Sequence, residues 1–281
     1  IEKLIADHSL LGLEYVGLIQ PNINLTIGSL VVVPSRVGIN IADSKDIFSL
    51  RSKGVQFIEY HELYENITRT VHLSALSDLW FIHSIDYGAH RLFDAFKRII
   101  DIAFGLLGSL LFLISLPIIG TMTKLTSRGP VIFSQERVGQ DGKTFTLYKY
   151  RTMTVEGANN TWTAPGDVRI TSFGRFLRAL RLDELPQSLN ILLGDMSIVG
   201  PRPEQVNIVS VLKTQIPYYS ERHIVKPGLT GWAQLHVYAG SLEETKRKLQ
   251  YDLYYIKHRS LLFDLEIILK TFYNVITFSG R

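Results

Sequence analysis

Residues 102–123 (IAFGLLGSLLFLISLPIIGTMT) run for twenty-two positions without a charge, and this run constrains the chain more than any other feature. At about 1.5 Å of rise per residue, a straight helix of that length would cross a hydrocarbon core of roughly 30 Å. A crossing helix is therefore the plain reading, and two features argue against it. Pro117 sits deep in the run, where it supplies no amide donor and clashes with the carbonyl of Leu113. Ser115 lies close enough to help satisfy the backbone groups so freed. The flanks are also basic on both sides, Lys97 and Arg98 before the run and Lys124 and Arg128 after it, so they set no orientation. A kinked hairpin that dips into the bilayer and returns would keep both flanks on the cytoplasmic face. A buried helix of a soluble domain is the third reading.

The remainder of the chain excludes several classes. With 46% hydrophobic and 20% charged residues it is too apolar for disorder. Cysteine is absent, which removes disulfides, thiol catalysis and Cys-ligated zinc. The net charge of +4 suits anionic surfaces or phosphorylated ligands, but no nucleic-acid partner is expected from so small a surplus. The eight histidines are scattered without HxxxH or HExxH spacing, so a histidine metal site is not expected. The first residue is Ile1 rather than Met, so the sequence is expected to be a processed chain or a fragment lacking an upstream segment.

Four regions are predicted. Residues 1–85 alternate strand patterns (13–19, 30–33 and 55–60) with helical ones (44–53 and 61–67), as in part of a doubly wound α/β unit. They read as the tail end of a Rossmann-like domain; without a GxGxxG motif, a structural or regulatory role is favoured over dinucleotide binding. Residues 86–101 form a junction whose amphipathic end leads into the apolar run, residues 102–123. Residues 124–281 carry the candidate chemistry. There, strands at 131–135 and 144–148 flank Gly139-Gln140-Asp141-Gly142 and predict a β-hairpin. Gly142-Lys143-Thr144 is not a phosphate-binding loop, because position 137 is Arg and a strand follows. Helices are predicted from 172, over 187–193 with Gly194 as the stop, and over 207–212, 242–258 and 261–278. The last is amphipathic and suits either a core or the lipid headgroup plane.

Asp183 and Glu184 are adjacent acids before Pro186, with Arg169, Arg175, Arg178 and Arg181 in the fifteen residues ahead of them. Acids at a helix start contribute only about 0.3–1 kcal/mol as caps. Among arginines, however, a carboxylate is suited to attack phosphorus or to hold a metal, since the cations offset its repulsion of phosphate. Lys149 and Arg151, with Arg137 on the preceding strand, form a second basic cluster suited to phosphate. Arg202 lies between Pro201 and Pro203, which reduce the entropy lost when it grips a ligand. The glycine-punctuated loop 226–232 is either a ligand cradle or a chain reversal.

Taken together, five segments resemble the bacterial sugar transferase family, the monotopic polyprenyl-phosphate phosphoglycosyl transferases of exopolysaccharide and O-antigen assembly. They are GPVIFSQERVG (129–139), LYKYRTM (147–153), GRFLRALRLDELPQSLNILLGDMSIVGPRPE (174–204), RHIVKPGLTGWAQ (222–234) and KLQYDLYYIKHRSLLFDLEIILKT (248–271). The resemblance implies a membrane-bound α/β enzyme, with an α+β catalytic domain, on the cytoplasmic face of the bacterial inner membrane. It implies that Asp183 attacks the β-phosphate of a UDP-sugar and releases UMP. Undecaprenyl phosphate then takes the phosphosugar. Glu184 matches the partner acid that holds Mg²⁺. Arg178, Lys149 and Arg202 match positions that contact phosphate or nucleotide, and Ser115 and Pro117 match the break of a re-entrant membrane helix. Here Leu116 separates Ser115 from Pro117, and His236-Val237-Tyr238 stands where many relatives have an asparagine-containing turn. Membrane lipid is an expected partner, and a homo-oligomer is compatible with the pattern. Two rivals remain: a non-catalytic scaffold or regulator of an assembly complex, and a glycosyltransferase that would release UDP.

Overall fold

The computed structural model describes residues 29–33, 51–52, 54–85, 91–154, 167–237 and 240–277, and the chain divides into two compact units, Ile1–Trp80 and Phe81–Arg281. In the first, strands β1 (Leu30–Val33) and β2 (Gln56–Glu59) pair in parallel, with Leu30 opposite Gln56 and Val33 opposite Glu59. Helix α1 (Tyr60–Thr68) follows β2 directly and ends at Arg69, whose left-handed backbone (φ 53°) lets its amide reach the Glu65 carbonyl. These are the strands and helix predicted at 30–33, 55–60 and 61–67. The predicted strand 13–19 lies outside the described residues, as does the helix 44–53 apart from the helical residues 51–52.

Helix α2 (Asp78–Ser84) lies at the boundary, and the second unit is organised around helix α3 (Arg91–Thr126). Its buried positions Asp101, Gly105, Ser109 and Phe112 recur every three or four residues and continue through Ile119, Gly120 and Thr123. Most are small, which lets α3 approach helix α4 (Gln187–Leu193) at backbone range. A Cβ on Gly108 would stand 2.8 Å from Ser188 Cβ, and Ser109 Oγ donates to Ser188 Oγ at 3.3 Å. The outer face is apolar and open, with Leu106, Leu107, Leu110, Leu113, Ile114 and Ile118 all exposed. It is the one helix among the described residues long and apolar enough to cross a membrane.

The break expected at Ser115 and Pro117 does not interrupt the helical backbone, which continues through Pro117. Side chains bond to carbonyls near the proline. Ser115 Oγ and the Tyr150 hydroxyl both donate to the Phe112 carbonyl, at 3.0 and 3.2 Å, and Thr121 Oγ1 donates to the Pro117 carbonyl at 2.7 Å. The carbonyl that loses its amide to Pro117 is that of Leu113, so these bonds brace the turns on either side of it.

The second unit accompanies α3 along most of its length. Lys97 pairs with Asp264, and Arg98 donates to the carbonyls of Ile191 and Leu192 at 2.7 and 2.8 Å, closing the end of α4. Asp101 accepts from Ser197 Oγ and the Ile198 amide at 3.0 and 2.9 Å. Beyond Ser115, Arg151 Nη2 donates to the Ser127 carbonyl at 2.8 Å. These contacts span thirty residues, roughly 45 Å of helix.

Strands β3 (Ile132–Val138) and β4 (Thr144–Tyr150) form the predicted hairpin, Ile132 opposite Tyr150 and Val138 opposite Thr144. Helix α5 (Ser172–Ala179) is capped by Thr171, whose Oγ1 accepts from the Gly174 amide at 2.9 Å. A short parallel pair, β5 (Ser197–Val199) and β6 (Gly228–Thr230), was not foreseen. Helices α6 (Val206–Gln215), α7 (Leu242–His258) and α8 (Leu261–Ile276) complete the unit.

The β5–β6 crossing is tight. A Cβ on Gly228 would lie 2.1 Å from the Gly200 amide nitrogen and 2.3 Å from the Thr230 carbonyl oxygen, both backbone atoms that cannot swing aside. Gly228→Ala is therefore expected to destabilise by about 3 kcal/mol, an overpacking cost. Thermal unfolding in detergent checks this, and an unshifted midpoint would show that the crossing has slack.

Candidate active site

Asp183 and Glu184 lie in one 3₁₀ turn (Leu182–Glu184) between α5 and α4. The turn exists because Arg181 adopts a left-handed conformation (φ 58°, ψ 17°) and stops the helix that the apolar pattern would continue. Leu182 and Leu185, on either side of the acids, pack against a buried cluster of Phe112, Ile119, Tyr150 and Leu177. The acidic pair is thus seated one side-chain layer from α3. Both residues are nearly buried, at 6% and 8% exposure.

Their surroundings differ sharply. Glu184 Oε1 accepts from Arg202 Nη2 at 2.7 Å and Lys149 Nζ at 3.3 Å, with Arg181 Nη1 at 3.8 Å. Asp183 Oδ1 is buried and has no hydrogen-bond partner. Burial alone would raise the Glu184 carboxyl, but Arg202, Lys149 and Arg181 together hold it below the ordinary glutamate range. Burial and then the neighbouring Glu184 charge raise the Asp183 carboxyl, and Lys149, Arg178 and Arg202 only partly offset this. Burial likewise lowers the Lys149 ammonium and the Arg178 guanidinium. One acid is a fixed anion locked among cations; the other keeps an unspent oxygen.

The cations come from separate elements. Lys149 projects from β4, and Arg202 from the Pro201–Pro203 segment after β5, where its Nη1 also donates to Gln234 Oε1 at 3.2 Å. Arg178, on α5, donates from Nε to Thr152 Oγ1 at 2.9 Å and acts on Asp183 by its charge. Two predicted members make their hydrogen bonds outside the group, although the Arg137 charge still acts on Lys149. Arg137 supports from behind, donating to the Pro203 carbonyl at 3.2 Å and to Gln135 Oε1 at 2.7 Å. Arg151 fails the face argument because β4 ends at Tyr150; its side chain turns to the end of α3 instead.

A buried ion network also holds Arg202. Arg222 pairs with Asp252 at 2.7 Å and donates from Nη2 to the Arg202 carbonyl at 3.0 Å, while Lys248 pairs with Glu204. Gln234, Lys248 and Asp252 escaped the sequence reading. Lys248 and Asp252 had left a signal, four residues apart on the α7 face that also carries the buried Leu249, Leu253 and Ile256.

The network predicts an acid response. Burial would raise the Glu204 carboxyl, but Lys248 and Arg222 hold it down at about 2, against 4.5 unperturbed. Its folded-state pKa is depressed, so its stabilisation is complete above pH 4.5 and lost as pH falls toward 2, about 3 kcal/mol in all. Glu204→Gln should remove that contribution and flatten the stability profile across this window. Parallel wild-type and variant profiles would refute the assignment.

Among the described residues no three His, Cys, Asp or Glu side chains cluster as a metal cage. Mg²⁺ needs only one or two carboxylates beside phosphate oxygens. The acidic pair supplies that number of carboxylates; Glu184 Oε1 is already engaged by Arg202 and Lys149, so a metal there would draw on the remaining carboxylate oxygens.

Residues 92–278 match the bacterial sugar transferase family. The chain is 42% identical over 187 residues to the UDP-N-acetylgalactosamine-undecaprenyl-phosphate N-acetylgalactosaminephosphotransferase of Aeromonas hydrophila, covering 66% of this chain and 44% of that protein. It is 45% identical over 184 residues to the UDP-glucose:undecaprenyl-phosphate glucose-1-phosphate transferase of Klebsiella pneumoniae, covering 63% and 39%. To the enzyme of that same name from Escherichia coli K12 it is 43% identical over 189 residues, covering 66% and 40%. The chain thus spans about two fifths of the length of these relatives. The matched stretch contains α3, the β3–β4 hairpin, the acidic pair with its cations and the helices that close the unit, and the chain belongs to the bacterial sugar transferase family.

Proposed function

We propose that the protein transfers a sugar phosphate from a UDP-sugar to undecaprenyl phosphate through an aspartyl-phosphosugar on Asp183, releasing UMP. The observation that carries this reading is the buried Asp183 oxygen, unpartnered beside an acid fully engaged by cations. In the first step an Asp183 oxygen forms a bond to the β-phosphorus as the bond from that phosphorus to the bridging oxygen breaks, and UMP departs with the electron pair. In the second, a phosphate oxygen of undecaprenyl phosphate attacks the same phosphorus and frees the carboxylate. The product is a polyprenyl-diphosphate sugar, the starting lipid for exopolysaccharide or O-antigen assembly.

Lys149, Arg202 and Arg178 offset the charge that builds on the diphosphate. Glu184 keeps Lys149 and Arg202 in place without competing as nucleophile, because its charge is already matched. Mg²⁺, held by the acidic pair, would supply a further offset to the diphosphate.

The helix contacts support monotopic attachment, which the family reading places at the cytoplasmic face of the inner membrane. If α3 crossed the bilayer, the elements bonded to its middle, Ser188 at Ser109 and Tyr150 at Phe112, would lie at hydrocarbon depth together with the charged turn they carry, which is costly. Embedding α3 from one side leaves Lys97, Arg98, Lys124 and Arg128 at headgroups, with the exposed apolar residues Leu262, Leu265, Leu269 and Phe272 of α8 available to the same surface. The first unit is read as the tail of a Rossmann-like domain.

The test uses purified protein in nanodiscs with a panel of UDP-sugars. UMP release dependent on undecaprenyl phosphate, and a phosphosugar adduct on the Asp183 peptide with donor alone, are expected. UDP release would mean that the sugar moves without its phosphate. No nucleotide release with any donor would favour a scaffold.

A further inference from the structure

Tyr218 has a backbone that its own side chain disfavours. Its φ of 59° and ψ of 16° lie in the left-handed region, which is costly for a bulky L-residue. The candidate active site nevertheless leans on this residue. The Tyr218 carbonyl accepts from the Glu221 amide at 3.1 Å and so opens the 3₁₀ turn Tyr219–His223. That turn carries the buried Tyr219, whose hydroxyl accepts from Arg222 Nη1 at 3.0 Å. It also carries Arg222 itself, whose Nη2 donates to the Arg202 carbonyl at 3.0 Å. Arg202 then donates to Glu184 at 2.7 Å. A continuous run of bonds therefore joins a strained backbone to the acidic pair. At its outer end the Tyr218 ring lies against the buried Phe81 of α2, with centroids 5.1 Å apart and planes at 37°. The worth of one aromatic pair and the penalty of one left-handed residue are of the same order. The ring contact is thus large enough to decide which backbone state Tyr218 takes.

We propose that Phe81 is a positioning residue for Arg202: its ring holds Tyr218 left-handed, and the 3₁₀ turn so formed sets Arg222 and, through it, the main chain of Arg202. Were Tyr218 to relax to an ordinary backbone, its carbonyl would turn away from the Glu221 amide and the turn would lose its first bond. Tyr219 and Arg222 would shift with it. Releasing Phe81 therefore loosens Arg202 without touching any group of the site.

The catalytic meaning of Arg202 rests on the transferase reading, so one arm of the test needs no turnover. Full-length protein in nanodiscs is treated with phenylglyoxal, and modification of Arg202 is followed by peptide mass. Phe81→Ala should speed that modification about tenfold, the upper end of what one aromatic pair is worth. Arg98, which closes the end of α4, should react as in wild type. In the turnover arm, kcat/KM for the UDP-sugar should fall by a similar factor. The deciding variant is Tyr218→Gly in the Phe81→Ala background. Glycine takes a φ of 59° without strain, so the double variant needs no clamp, and both readings should return toward wild type. A role in packing alone would instead give losses that accumulate. Should Phe81→Ala fail to fold, Phe81→Leu, which keeps apolar volume and loses the ring, replaces it in both backgrounds. Unchanged modification of Arg202, an equal rise at Arg98, or no rescue by Tyr218→Gly would overturn the assignment. Absence of UMP release by wild type would strike the transferase reading, and the phenylglyoxal arm would still decide this one.

Discussion

Asp183→Asn should lose UMP release by at least about 10³-fold, the scale on which a covalent nucleophile is missed, while the fold stays intact. The reason for the second half is specific to this site. Asp183 Oδ1 has no hydrogen-bond partner to lose, and burial beside Glu184 already disfavours its charge. Its folded-state pKa is raised, so the ionised carboxylate is a net cost above the unfolded aspartate pKa. A neutral isostere relieves that cost, and the unfolding midpoint near pH 7 should hold or rise. A variant with substantial UMP release, or one that unfolds at lower temperature than wild type, would remove Asp183 from the role assigned to it.

Glu184→Gln should behave in the opposite way. Its carboxylate is shared by Arg202, Lys149 and Arg181, and removing the charge leaves those cations crowded in a buried turn. Breaking one side of a buried ion pair typically costs about 3–5 kcal/mol, and a loss of that size is expected here. Activity should fall with it, since Arg202 and Lys149 would separate. The sign of the pH dependence follows from the depressed Glu184 carboxyl: its stabilisation holds above the unfolded glutamate pKa and fades as acid protonates the folded state. The variant should lack that acid-sensitive part. Chemical denaturation of the two variants side by side separates the roles, because adjacent acids with interchangeable functions would give similar losses.

Legibility in the sequence followed the range of the interactions involved. The predicted helix 242–258 coincides with α7 because a 3.6-residue apolar period is a local property, and Ser241 caps it with an acceptor for the Glu244 amide. The β3–β4 hairpin was equally local. The acidic pair was legible as chemistry from its arginine-rich approach, but the division of labour within it was not. That division depends on Arg202, eighteen residues further along the chain, reaching Glu184 rather than Asp183. The surroundings of Pro117 were illegible for a related reason, since the Tyr150 hydroxyl that bonds the helix at Phe112 belongs to a strand thirty-eight residues beyond it. Arg151 misled by one residue of strand length. Gln234 and the β5–β6 pair left no periodic trace, because each is specified by backbone crossings between distant segments.

The grip of the second unit on α3, from Lys97 to Ser127, bears on how such a protein can be handled. Cutting before residue 128 to obtain a water-soluble enzyme would strip Phe112 and Ile119 from beneath Tyr150, Leu182 and Leu185, and would leave Ser197, the Ile198 amide and Asp264 without their counterparts. The apolar helix is a wall of the second unit as well as its proposed mooring. Solubilisation therefore has to come from an amphiphile that coats the outer face of that wall, because a cut before residue 128 removes the wall itself.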